Sequence, residues 1–211
     1  MTQTVFFDLD GTLTDPMLGI TGSIRYALEK LGATVPEAKE LTWCIGPPLL
    51  ESFQTLVGSD RAAAAVVHYR ERFSRVGLYE NTPYSGIHAA LSALQSAGVR
   101  LCVASSKPHI HVREILEHFE LIHYFSDVFG SELDGSRTDK SELLRFALAE
   151  TGVEANAATM VGDRKHDIVG ALDNGVSAIG VLYGYGSEEE LTQAGANRFA
   201  RAPSELASLL L

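Results

Sequence analysis

The stretch that most constrains this chain is Val5-Phe6-Phe7-Asp8-Leu9-Asp10-Gly11-Thr12-Leu13-Thr14-Asp15. Its apolar run, opened by a β-branched valine, reads as a buried strand, and Gly11-Thr12 turns the chain out of it. Asp8 and Asp10 therefore stand at the strand's exit, which in an open parallel sheet is where ligand sites gather. Carboxylates one residue apart repel, and a half-buried carboxylate is costly unless a cation or hydrogen-bond donors compensate it. A hard divalent cation is the simplest compensation. An acidic turn with no further role is the plain alternative, because Asp and Gly are ordinary turn formers.

Beyond Asp15-Pro16 the pattern is helical. Ile20, Ile24, Leu28 and Leu31 share one face, and Gly32 stops it. Pro36 opens a second helix through Leu41, and Trp43-Cys44-Ile45-Gly46-Pro47-Pro48 is a loop no helix crosses. A third helix runs from Leu49 to Val57. A fourth, capped by Ser59-Asp60, carries Val66, Tyr69 and Phe73 to Gly77. From Gly86 strands and helices alternate. Strands are expected at Val99–Ala104, Asp127–Gly130, Ala158–Val161 and Ala178–Leu182, with helices between them and a short one capped at Ser187-Glu188-Glu189-Glu190. The expectation is an α/β fold: a Rossmann-like, doubly wound parallel sheet built from residues 1–15 and 80–211, with an all-α insertion at 16–79.

Composition narrows the functions open to such a fold. The chain has 211 residues and a net charge of −10, with no basic stripe, which argues against nucleic acid or an anionic membrane as a partner. Residues 1–4 lack the basic start and apolar run of a signal peptide, and no apolar segment approaches a membrane span, so a cytoplasmic location is expected. Cys44 lies apart from Cys102, which sits in an apolar run, so neither a disulfide nor a metal pair is expected.

Further candidate chemistry falls at later strand exits. Ser105 and Ser106 offer hydroxyl donors to a phosphate oxygen, with Lys107 beside them, although a serine pair ending a strand is often only a turn. Lys140 begins a helix, where the dipole does not favour a cation. Asp163 leaves a strand, and Asp167 follows one helical turn later, so both can face one cavity as oxygen ligands of a divalent ion. A helix-capping Asp163 with a surface Asp167 is the bland alternative. His166 is expected to be an exposed bystander, because no partner His or Cys stands at zinc-ligand spacing.

Asp8-Leu9-Asp10-Gly11-Thr12, Ser105 after an apolar strand, and Gly162-Asp163-Arg164-Lys165-His166-Asp167 resemble, in order, motifs of the haloacid-dehalogenase-like hydrolase superfamily. Gly180 to Gly186 resembles the tail of its phosphoglycolate-phosphatase-like and 5′-nucleotidase-like branch, and the helical insertion resembles that branch's C1-type cap. The resemblance implies a Mg²⁺-dependent phosphomonoesterase acting on a small phosphorylated metabolite, either phosphoglycolate or a nucleoside monophosphate. It implies Asp8 as nucleophile and Asp10 as general acid/base, with Ser105 and Lys140 clamping the phosphoryl group. Mg²⁺ is expected on Asp8, the Asp10 carbonyl and Asp163, with Asp167 orienting the metal shell. Gly11, Thr12, Ser106 and Lys107 are the remaining phosphate-side candidates, and Gly46 and Pro47 those of the cap. Lys140-Ser141-Glu142 departs from the Lys-Pro common in the third motif, which leaves Lys107 as its rival. A phosphomutase shares every motif and is distinguished only by its product. A dehalogenase would not need Asp10, and an idle regulatory protein would not need every motif intact. A monomer or homodimer is expected.

Overall fold

The computed structural model describes residues 3–211. The chain begins with β1 (Thr4–Phe7), in which every residue is buried, followed by β2 (Thr14–Asp15). Its first unit comprises Met1–Asp15 and Pro83–Leu211, and its second unit Pro16–Thr82.

The second unit holds α1 (Met17–Lys30), α2 (Leu49–Val57) and α3 (Ser59–Arg72). Ile20, Ile24, Ala27 and Leu28 form the buried face of α1, and Ala62, Ala65 and Tyr69 that of α3. Phe53 meets Tyr69 edge-on at 6.2 Å between ring centroids, and Tyr69 stacks on Phe73 at 5.1 Å. The helix expected from Pro36 to Leu41 is instead a 3₁₀ segment, Ala38–Cys44. Glu37 remains extended and its N–H donates to Glu40 Oε2 at 2.8 Å, so the turn starts later and stays short. The α3 pattern widens after Arg72 rather than continuing to Gly77: the Leu78 N–H donates to the Phe73 carbonyl, five residues back, at 2.9 Å.

After β3 (Thr82–Pro83) the first unit continues with α4 (Ile87–Ser96), then alternates. The order is β4 (Arg100–Pro108), α5 (His109–His118), β5 (Asp127–Ser131), α6 (Lys140–Thr151), β6 (Ala158–Gly162), α7 (Lys165–Asp173), β7 (Ser177–Val181), α8 (Glu188–Gln193), β8 (Phe199–Ala200) and α9 (Leu206–Leu210). The sheet is six-stranded in the order β5-β4-β1-β6-β7-β8, with parallel pairings. The two-residue strand β8 is absent from the expectation because so short a segment carries no alternation; it is held by backbone bonds such as Leu182 N–H to the Ala200 carbonyl at 2.8 Å.

Burial on both faces explains why the strands read as continuous apolar runs. Phe6 packs on one face with Met160, Leu144 and Ile168, while Phe7 on the other meets Phe125 edge-on at 6.3 Å. In register, Phe7 lies between Val103 of β4 and Val161 of β6. The carboxyl ends of these three strands therefore lie side by side where the connections diverge to either side of β1, the crevice such sheets use for ligands. Among the described residues no helix is long and apolar enough to cross a membrane.

Helices α6 and α7 approach closely through Gly170, where an added Cβ would lie 2.9 Å from the Lys140 carbonyl carbon. A helical Gly-to-Ala change ordinarily stabilises by about 1 kcal/mol. Here overpacking against backbone is predicted to dominate, so Gly170→Ala should lose about 1–3 kcal/mol, read as a lower urea midpoint. A raised midpoint would contradict the close approach.

Candidate active site

The turn after β1 is built by its own backbone. Gly11 takes a left-handed conformation (φ 83°), its N–H donates to the Thr14 carbonyl at 2.8 Å, and the Leu13 N–H donates to the Leu9 carbonyl at 2.9 Å. Asp8 is tied to the neighbouring strand by its N–H, which donates to the Val161 carbonyl at 2.9 Å, and its side chain is buried at the carboxyl end of the central strand β1.

Lys140 reaches this point from the start of α6. Asp139 caps that helix, its side chain accepting from the Glu142 N–H at 2.9 Å. The buried Lys140 Nζ lies 2.9 Å from Asp8 Oδ1, 2.9 Å from the Ala104 carbonyl and 2.8 Å from Asp167 Oδ1. Burial alone would lower its pKa, but Asp167 and then Asp8 more than reverse that effect and the ammonium is held charged. Lys140, and not its rival Lys107, is thus the cation on Asp8.

Asp8, Asp163 and Asp167 are all buried, and each offers an oxygen within 4.8 Å of the others. Burial first, and then the charges of Asp167 and Asp8, push the Asp163 pKa well above the ordinary carboxylate value. Burial likewise raises Asp167, against the opposing pull of Lys140. A set of oxygen donors whose negative charge exceeds that of its one lysine matches the preference of a hard divalent cation. Asp163 is fixed by the Tyr185 N–H, which donates to Oδ2 at 2.8 Å, with Thr12 Oγ1 at 3.5 Å from Oδ1. Asp167 accepts from the Arg164 N–H at 3.0 Å, so it also closes the first turn of α7.

Asp10 stands apart from this cluster. Its carboxylate pairs with Lys107, whose Nζ lies 2.9 Å from Oδ1 and 2.8 Å from Oδ2. Burial raises the Asp10 pKa, although Lys107 opposes the shift. Ser105 is buried within β4, which runs on to Pro108 rather than ending at Ala104 as expected; it is the last regularly paired residue, level with Gly130 of β5. The Ser106 carbonyl accepts from Ser131 Oγ at 2.8 Å. The structure therefore brings Asp8, Ser105, Lys140, Asp163 and Asp167 to adjoining strand ends with the Gly11-Thr12 turn, and Asp10 with Lys107. Gly46 and Pro47 belong to the loop before α2 in the second unit. His166 is half-buried rather than exposed, because it sits on the first turn of α7 between Lys165 and the buried Asp167.

One segment reaches the site without having been assigned a role from sequence. Tyr183-Gly184-Tyr185-Gly186 follows β7, and a Cβ on Gly184 would overlap both the Gly11 carbonyl and Asp163. The Tyr183 hydroxyl donates to the Thr12 carbonyl at 3.1 Å, and the Tyr185 hydroxyl donates to Asp15. Alternating glycines after a strand are the signal of close backbone approach that marks this segment.

A family model described as haloacid dehalogenase-like hydrolase matches residues 5–181. The chain is 52% identical over 189 residues to a 5′-nucleotidase of Pseudomonas aeruginosa, spanning 89% of this chain and 86% of that protein. It is 42% identical over 184 residues to tyrosine-protein kinase PtkA of Mycobacterium tuberculosis, spanning 87% of this chain and 63% of that protein. The crystal structure of a predicted phosphatase from Clostridium acetobutylicum superposes with a TM-score of 0.95 at 42% identity, covering 99% of this chain and 98% of that one. The motif order, the sheet and these similarities lead to one conclusion: the chain belongs to the haloacid dehalogenase-like hydrolases.

Proposed function

We propose that this hydrolase cleaves phosphomonoesters of small metabolites through a phosphoryl group carried on Asp8, with nucleoside 5′-monophosphates as the leading substrates. The observation that carries the reading is the unequal treatment of two carboxylates on one turn. Asp8 is held by Lys140 inside an acidic cluster, while Asp10 is raised by burial and held separately. Carboxylates set apart in this way suit nucleophile and proton carrier, respectively.

In the first step the Asp8 carboxylate attacks phosphorus while the bond to the leaving oxygen breaks. The electron pair departs with that oxygen, which takes a proton from Asp10. In the second, Asp10 takes a proton from water as the water oxygen attacks phosphorus; the bond to Asp8 breaks, releasing inorganic phosphate and the free carboxylate. Lys140 and Ser105 hold the nonbridging oxygens. Asp8, Asp163, Asp167 and the Asp10 carbonyl would hold Mg²⁺, which when bound offsets the repulsion between phosphate and nucleophile. The helical second unit is read as the cap that selects the alcohol. Its loop Ile45-Gly46-Pro47-Pro48 carries no charged side chain to grip a substrate carboxylate, which favours nucleotides over phosphoglycolate. The similarity to a 5′-nucleotidase supports the same preference.

Phosphate release measured with Mg²⁺ across nucleoside 5′-monophosphates, phosphoglycolate, sugar phosphates and phosphotyrosine tests this reading. Nucleotides should lead, and Asp8→Asn should lower turnover at least about 10³-fold. Substantial turnover by that variant would exclude a nucleophilic Asp8.

The acidic cluster also makes a stability prediction. Asp163 and Asp167 have raised folded-state values, so without metal the folded chain binds more protons than the unfolded one, whose carboxylates titrate near pH 4. Metal-free stability should then fall as pH rises from that point through the raised values. Mg²⁺ should stabilise by mass action and compete with protons, so its increment in melting temperature should be larger at pH 8 than at pH 5. An increment that shrinks with rising pH would contradict Mg²⁺ binding at these carboxylates.

A further inference from the structure

We infer that Lys107 is a positioning residue that aims the carboxyl of Asp10, rather than a ligand of the substrate phosphate. The inference rests on the acid–base role proposed for Asp10. Its first support is contact: the ammonium sits within 2.9 Å of both Asp10 oxygens, and the side chains are 7% and 13% exposed. A lysine paired this closely with a buried carboxylate has its charge largely neutralised and offers little net attraction to a phosphate dianion, a task Lys140 is placed to perform.

The second support is how the backbone delivers Lys107. β4 pairs regularly with β5 up to Ser105 opposite Gly130, and the next partner of Ser131 is Pro108. Ser106 and Lys107 are therefore pushed out of the ladder as a bulge, the device by which strands re-aim a side chain near a site. The bulge is built in on both sides. Ser131 Oγ donates to the Ser106 carbonyl at 2.8 Å, and Gly130 is required because a Cβ there would lie 2.8 Å from the Lys107 carbonyl.

The third support is elementary hydrogen-bond chemistry. An ammonium donates and cannot accept. When Asp10 carries a proton, its O–H cannot point at Lys107, so Lys107 takes the carbonyl oxygen and the proton faces away. After the leaving group has taken that proton, the same contact holds the carboxylate in place for water.

The test compares kcat/KM for 4-nitrophenyl phosphate, whose phenolate leaves readily without a proton, with that for an alkyl phosphate such as a nucleoside 5′-monophosphate, whose alkoxide does not. This parameter ends at expulsion of the leaving group and so isolates the acid half of the reaction. Asp10→Asn should lose about 10²-fold more with the alkyl than with the aryl ester. Lys107→Gln should lose about tenfold more, adding nothing to that ratio when combined with Asp10→Asn. Lys107→Arg, which keeps a cation on a bulkier head, should show the same imbalance in smaller degree and serves if the glutamine variant does not fold. Equal losses on both esters in the folded Lys107 variants, with the Asp10→Asn imbalance intact, overturn the role of Lys107 alone. An Asp10→Asn variant with no imbalance overturns the acid–base reading of Asp10 and this inference with it.

Discussion

The site depends on one buried ammonium. Lys140 joins three elements, taking Asp8 after β1, the Ala104 carbonyl of β4 and Asp167 of α7 within 2.9 Å. A lysine buried without partners would lose its charge, and three carboxylates buried without a cation would repel one another. Each is tolerable only with the other. The elements that carry them are therefore bound electrostatically as well as by apolar packing of Phe6, Leu144 and Ile168 beneath. The arrangement is also incomplete in charge, and that surplus of carboxylate is what makes the cluster suited to a divalent cation.

A second lysine keeps a neighbouring carboxylate separate. Asp8 and Asp10 are separated by a single residue, yet Lys140 claims one and Lys107 the other, and the Gly11 turn directs them to different surroundings. Backbone shape makes this division possible. A Cβ at Gly11 would overlap Asp163, and one at Gly184 would overlap the Gly11 carbonyl, so the loops after β1, β6 and β7 fit together only because side chains are missing there.

The fold was largely legible in sequence because parallel strands buried on both faces read as unbroken apolar runs, and the glycines that follow helices such as α1, α4, α6 and α7 stand out. Val5 to Phe7 and Ala158 to Val161 needed no tertiary information. The positions of Asp8 and Asp163 just after strands, and of Asp167 one helical turn later, were legible for the same reason. Assigning the two lysines was not: Lys140 meets Asp8 across 132 residues of chain, and Lys107 is turned toward Asp10 by a bulge that no local pattern announces. Tyr185 escaped notice because its contribution to Asp163 is a backbone N–H, which every residue but proline owns. The 3₁₀ segment at Ala38–Cys44 and the two-residue β8 are too short for periodicity to define.

The central claim is a phosphoryl group carried covalently on Asp8, and the most direct measurement is to trap it. Wild-type protein turning over a nucleoside 5′-monophosphate would be quenched within milliseconds, reduced with borohydride to convert an acyl phosphate to the alcohol, and sequenced by mass spectrometry. The account predicts homoserine at residue 8 and nowhere else. Conversion at another aspartate, or none while phosphate is being released, would contradict it.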